Sequence, residues 1–194
     1  MVITGSNANL INTTKRILQQ QFEMEDLGQS EWIMGIRVVR DLTKHEIILT
    51  QELYVRSLLD RFGMANCNSS LTPADPHELS PHPESLLSPH DTKHYQTLVG
   101  SLLCLSICTR PDISRAVMQL TRFSANPSQP HLNAAKGVLS YLRGDTSFAL
   151  RYSSPPPKSP TPHGYANASY ASDPESYRYT SGYIFMLNGG PVTW

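Results

Sequence analysis

Apolar positions recur at helical spacing in five stretches of the chain and alternate in several shorter ones. Leu10, Ile11, Thr14, Ile17, Leu18 and Phe22 mark a helix from about residue 7 to 22. "WIMGIRVVR" (32–40) and "HEIILT" (45–50) are β-rich runs joined by "DLTK", the pattern of a hairpin. Val55, Leu58, Leu59 and Phe62 return to helical spacing over 51–62, and Gly63 supplies a stop. Three helices follow in close order. Their stripes are Tyr95, Leu98, Val99, Leu102 and Leu103, then Ile113, Ala116, Val117, Leu120 and Phe123, then Leu132, Ala135, Val138, Leu139 and Leu142. Pro111 suits a first helical turn, Asp112 favours the positive end of the helix dipole, and Gly144 ends the third helix. The stripes predict a small helical bundle with Arg115, Arg122, Lys136 and Arg143 on its outside.

Between these elements the pattern breaks down twice. Residues 67–93 hold five prolines and little periodicity, and residues 152–162 are also Pro-rich, so both read as extended linkers. After the second, Tyr165–Ala171 and Ser181–Leu187 predict two strands around the polar turn "SDPESYRY", and "GGPVTW" opens a third. At the other end, "MVITGS" reads as the tail of a strand entering a turn. The overall expectation is an α+β fold.

Charge divides the chain. Residues 1–92 carry 7 Lys/Arg against 12 Asp/Glu, a net of −5; residues 93–151 carry 7 against 2, a net of +5. The basic middle suits a phosphate-bearing partner or a solvated helix face; the acidic front suits no such partner. No stretch has the length and apolarity of a membrane span, and no basic segment leading into an apolar run opens the chain, so no membrane partner is expected. Cys67, Cys104 and Cys108 are an odd set without framework spacing, which points to a reducing, intracellular setting. Cys104 and Cys108 stand four apart on a helix. A metal pair is conceivable there, but small buried side chains are the better reading.

Other chemistry-bearing residues give no defensible site. His77, His82, His90 and His94 are spaced five, eight and four apart among prolines, which matches no ligand pattern. Glu23, Glu25 and Asp26 read as a solvated acidic surface. Tyr177, Tyr179 and Tyr183 have the means to stack on bases, though strand aromatics more often pack across a sheet. No metal site is expected.

Seven stretches occur together in a recognisable order: "ITGSN", "FEMEDLGQSEWIMGIRVVR", "ILTQELYVRSLLDRFGM", "LTP", "YQTLVGSLLCLSICTRPDISRAVMQLTRF", "NPSQPHLNAAKGVLSYLRGDTSFAL" and "TSGYIFMLNGGPVTW". In order and spacing they resemble the polymerase region of copia-type LTR-retrotransposon (Pseudoviridae) Pol polyproteins, across nearly the whole chain. The resemblance implies a partial reverse-transcriptase palm with a primer-grip hairpin and first thumb helix at 1–66. It implies a helical thumb or connection at 94–151 and a truncated ribonuclease H-like β-hairpin at 163–194.

It also implies which catalytic groups to expect. Polymerase carboxylates hold two Mg²⁺ ions that clamp the attacking and leaving oxygens. In this family they belong to a Tyr-x-Asp-Asp turn that precedes the "ITGSN" strand, where this chain has Met1. The family pattern after Gly-Tyr in ribonuclease H is Ser-Asp-Ala-Asp-Trp-Ala-Gly-Asp. Here Ala166-Asn167-Ala168-Ser169-Tyr170-Ala171-Ser172-Asp173 stands in its place. Asn167 thus replaces a metal-bridging aspartate, and a neutral amide lacks the charge that holds two hard cations together. Ser169 replaces a second aspartate, and Asp173 matches a turn position.

Three functions are compatible with this sequence. The first is a catalytically inactive fragment of a reverse transcriptase and ribonuclease H, with Mg²⁺ expected only for the intact enzyme. The second is a remnant that binds an RNA or DNA primer–template through Arg110, Arg115, Arg122, Lys136 and Arg143. The third is a slice of an intact polyprotein whose polymerase acids lie upstream and whose partner is the rest of Pol.

Overall fold

The computed structural model describes residues 1–74, 79–153, 161–169 and 180–194. Mixed helix and sheet are both present, as an α+β fold requires. The helical part is α2 (Glu52–Arg61), α3 (Pro89–Cys108), α4 (Ser114–Thr121) and α5 (Gln129–Gly144). A further helix, α1 (Ala8–Gln21), precedes them.

The stripes converge on one core. Val55 and Leu58 from α2, Leu98 and Leu102 from α3, Leu120 from α4 and Leu139 from α5 are all buried together. Each such aliphatic side chain contributes about 1.5–3 kcal/mol relative to exposure. Tyr95 joins this core and donates its hydroxyl to the Leu120 carbonyl at 2.7 Å, so the one polar atom it carries inward is paired. Burial raises its phenol well above the usual tyrosine range.

α3 begins earlier than the sequence pattern suggests. Residues 89–93 were expected in a linker, yet they form its first turn. Ser88 Oγ accepts from the Asp91 amide at 3.2 Å and donates to its carboxylate at 2.7 Å, and Pro89 occupies the first helical position. "SPHD" is therefore a helix start rather than more linker. Pro111 opens a short 3₁₀ turn, Pro111–Ile113, that leads into α4. Gly63 ends α2 with φ +67°, as its position suggests.

Two antiparallel sheets complete the fold. The first has the order β1 (Trp32–Ile33), β2 (Ile36–Asp41), β3 (Glu46–Thr50), β4 (Leu150–Ser153). Met34 and Gly35, with φ of 50° and 80°, make the tight turn between β1 and β2. Asp41 Oδ1 accepts from the Thr43 and Lys44 amides and closes the next turn. The Thr43 hydroxyl, donating to the same oxygen at 2.6 Å, and then the Lys44 amide hold its carboxyl well below the usual range.

β4 departs from expectation. The sequence pattern gives its residues to the end of a helical segment and the start of a linker, but Leu49↔Leu150 and Ile47↔Tyr152 pair in register. Four residues carry too little periodicity to signal a strand; the open edge of β3 recruits them. Residues 1–6 form no strand, contrary to the reading of "MVITGS", and no described strand runs beside them.

The second sheet has the order β5 (His163–Ser169), β6 (Thr180–Leu187), β7 (Gly190–Thr193). It is joined to the first at β4. The Ser153 amide donates to the Asn188 carbonyl at 2.8 Å, and the Tyr152 hydroxyl donates to the Pro191 carbonyl at 2.5 Å. Trp194 Nε1 reaches the Ser106 carbonyl on α3 at 2.7 Å. The turn "SDPESYRY", with Asp173, Tyr177 and Tyr179, lies outside the described residues, as do His77 and most of the second Pro-rich stretch.

Candidate nucleic-acid interface

The five cations singled out in the sequence do not form one surface. Arg110 is 1% exposed, so it is not open to the primer–template contact expected of it. Its Nε and Nη2 donate to the Asp112 carboxylate at 3.0 and 2.8 Å, and Nη1 donates to the Asp145 carbonyl at 2.9 Å. The guanidinium also lies 5.7 Å from the Tyr141 ring centre and 5.2 Å from that of Phe148. Tyr141 donates its hydroxyl to Asp112 at 2.9 Å, so one carboxylate binds both partners. Burial, then Asp112, pushes the Tyr141 phenol up. Arg110 thus clamps the entry of α4 to the end of α5.

The other four remain on the outer side. Arg115 and Arg122 are seven apart, one within α4 and one at its C-cap, and both are exposed. That spacing is close to two helical turns, so they share a stripe. Gln119 lies between them and lines a cleft of about 310 Å³ with Ala116, Ala134, Gly137, Ser70 and Thr72. Arg122 also lies 5.7 Å from the Phe123 ring centre. Lys136 and Arg143 repeat the seven-residue spacing on α5, Lys136 half-buried and Arg143 exposed. Arg143 Nε donates to the Ala65 carbonyl at 2.7 Å, and Ser140 between them donates to the Asn68 carbonyl. The α5 stripe therefore also holds the loop that follows α2.

Asn167 and Ser169 stand two residues apart on β5. Asn167 pairs with Gly182 across the ladder and Ser169 with Thr180. Among the described residues, no group of three His, Cys, Asp or Glu side chains stands close enough to hold a metal ion. A pair of Mg²⁺ ions needs several carboxylate oxygens, and this donor set does not fit them.

The remaining polar residues are used one at a time. His82 Nδ1 meets Glu84 at 3.1 Å, His90 Nδ1 meets Asp91 at 3.3 Å, and the His94 ring packs edge-on to Phe62 at 5.1 Å. Cys104 is exposed and Cys108 half-buried, so the reading of both as buried side chains does not hold. Burial, then Cys104, raises the Cys108 thiol. His131, which no sequence pattern marks as functional, is buried at the start of α5 and stacks on Phe123 with ring centres 3.9 Å apart. Its signal was Ser128 three residues ahead, a capping-box spacing.

Comparison with known proteins agrees with the resemblance. Residues 1–76 match the family model for reverse transcriptase (RNA-dependent DNA polymerase). The whole chain aligns at 35% identity with the retrovirus-related Pol polyprotein from transposon TNT 1-94 of Nicotiana tabacum, and at 34% with that from transposon RE1 of Arabidopsis thaliana. It spans 15% and 13% of the lengths of those two proteins. Over 102 residues, 52% of this chain, it is 40% identical to the secreted RxLR effector protein 161 of Plasmopara viticola, covering 69% of that protein. No solved structure matches it. The chain belongs to the copia-type, retrovirus-related Pol family, with a reverse-transcriptase-like region at its front.

Proposed function

We propose that this chain is a reverse-transcriptase and ribonuclease H segment of a copia-type Pol polyprotein that performs no catalysis by itself. The observation that carries this is Asn167 on β5, opposite Gly182, where the family resemblance puts a metal-bridging aspartate. An amide oxygen supplies one neutral donor, and a two-ion site needs net negative charge to bring its cations together. Ser169 removes a second carboxylate from the same strand.

On this reading residues 1–66 are palm and primer-grip elements, 94–151 the thumb or connection, and 163–194 a ribonuclease H-like start. The polymerase acids then belong to another part of the polyprotein, in keeping with the small share of the relatives' length that this chain spans. The test is cleavage of an RNA–DNA hybrid with Mg²⁺ by the chain as it stands and by the Asn167→Asp/Ser169→Asp variant. The reading predicts no cleavage by the native chain. Mg²⁺-dependent cleavage by it would refute the reading. A gain in the double variant would trace the loss to these two positions, whereas no gain would mean that further groups are missing.

A second reading, a module that binds nucleic acid without catalysis, is favoured by one observation. Arg115 and Arg122 stand exposed on one stripe beside an open cleft. Spaced cations of this kind bind phosphates with affinity that falls steeply with salt. Salt-independent binding, or none at low ionic strength, would rule it out.

A further inference from the structure

His131 sits at the third position of α5 and is fully buried. The Ser128 amide donates to its Nδ1 at 3.0 Å, so that nitrogen presents a lone pair. Nε2 lies 3.0 Å from the Ser80 carbonyl. A carbonyl only accepts, so Nε2 carries the ring proton. The imidazole is thus a neutral tautomer fixed from both sides. One side is the start of α5; the other is the stretch ahead of α3 that holds a 3₁₀ turn, Pro83–Ser85. That stretch is held at the same place by the Leu86–Ser128 bridge, in which the Leu87 amide donates to the Pro127 carbonyl at 2.9 Å.

We infer that His131 is a pH-sensitive latch that holds residues 80–87 against the start of α5 and lets go when its ring gains a second proton. Protonation puts a hydrogen on Nδ1, which then faces the Ser128 N–H donor to donor and forces the Ser128 hydroxyl, 2.8 Å away, to turn from donor to acceptor. It also places a cation in the first turn of a helix, where the dipole is positive. Both effects act in a buried site, where an unpaired donor is costly. No carboxylate offsets them among the described residues. The His82 ring faces the site with centres 5.9 Å apart, and Glu84 is engaged with His82. From the segment after α4 comes Phe123, stacked on the ring, with the Arg122 guanidinium 5.7 Å from the Phe123 ring centre.

The sign follows from these contacts. Burial holds the His131 imidazole below its ordinary value, with His82 adding to that and the Ser80 bond opposing it. A histidine depressed in the folded state contributes its full stabilisation above the unfolded value of about 6.5 and loses it as the pH falls from there.

Amide hydrogen exchange on the full chain tests the latch, corrected for intrinsic rates, at about pH 7 and about pH 5. The Ser85 and Leu87 amides should exchange roughly tenfold faster at the lower pH, while Leu98 and Leu102 in α3 stay protected. In His131→Asn, which does not titrate, the two rates should be equal at both pH values. His82→Gln should keep the response. No acid response in the native chain would overturn the latch, as would a response that survives in His131→Asn or vanishes in His82→Gln. Imidazole ¹⁵N shifts of the native chain decide the matter even if a variant does not fold. An Nε2–H ring that resists protonation at about pH 6 fits the latch; an Nδ1–H ring, or ordinary titration, overturns it.

Discussion

Gly190 packs so closely on Tyr152 that a Cβ there would lie 2.7 Å from the tyrosine ring and 2.6 Å from the Arg151 carbonyl. This contact is the seam between the two sheets. The nearby Ser153–Asn188 and Tyr152–Pro191 bonds depend on the same approach. Gly190→Ala should destabilise the chain by about 1–3 kcal/mol, because one of the opposing atoms is backbone and cannot swing aside. Denaturant unfolding measures it, and a loss below about 0.5 kcal/mol would mean that the seam yields.

The Arg110–Asp112 pair predicts an asymmetry. Asp112→Ala leaves a guanidinium buried without its counter-charge, which costs about 3–5 kcal/mol. Arg110→Met removes the charge itself and keeps an apolar stem between Tyr141 and Phe148, while Asp112, 20% exposed, keeps its bond from Tyr141. Asp112→Ala should therefore be the more destabilising of the two. Equal losses in thermal or denaturant unfolding would contradict the clamp.

Tyr95→Phe isolates one buried hydrogen bond. The ring still fills its place in the core, but the Leu120 carbonyl loses one donor and keeps the Phe123 amide at 3.1 Å. A loss of about 1–2 kcal/mol is expected. Leu102→Ala, at the centre of the same core, should cost about 2–5 kcal/mol through the cavity it leaves. Unfolding midpoints of the two variants, compared with the native chain, check the order.

If the α4 stripe contacts phosphates, Arg115→Gln and Arg122→Gln should each weaken binding uniformly across sequences. Each should also lower the salt slope by about one. Titrations of a labelled RNA–DNA hybrid at several salt concentrations read both quantities. Unchanged slopes would assign these arginines to solvation of the helix surface alone.

How far the fold was legible depends on the kind of signal each element carries. The four bundle helices were legible because their stripes are long: Leu98, Leu102, Leu139 and Leu142 repeat the helical period and all lie in the core. The hairpin of β2 and β3 was legible from its two β-rich runs. β4 was not, since Leu150–Ser153 becomes a strand only by pairing with a distant edge. The first turn of α3 was hidden because its proline looked like one more linker proline, when Ser88 and Asp91 made it a cap. At the site, Asn167 was legible through the family pattern alone. The burial of Arg110 was not, because its partners Tyr141, Asp145 and Phe148 come from more than 30 residues away. Cys104 misled for a related reason: cysteine is most often buried, but here the stripe turns it outward.

On the proposed reading, this chain carries out no phosphoryl transfer by itself. Incubation of the purified, folded chain with a labelled RNA–DNA hybrid and Mg²⁺, beside a primer–template with all four deoxynucleotides, tests it most directly. The RNA strand should stay intact and the primer unextended. RNA cleavage or primer extension that requires Mg²⁺ and follows the protein through purification would contradict it.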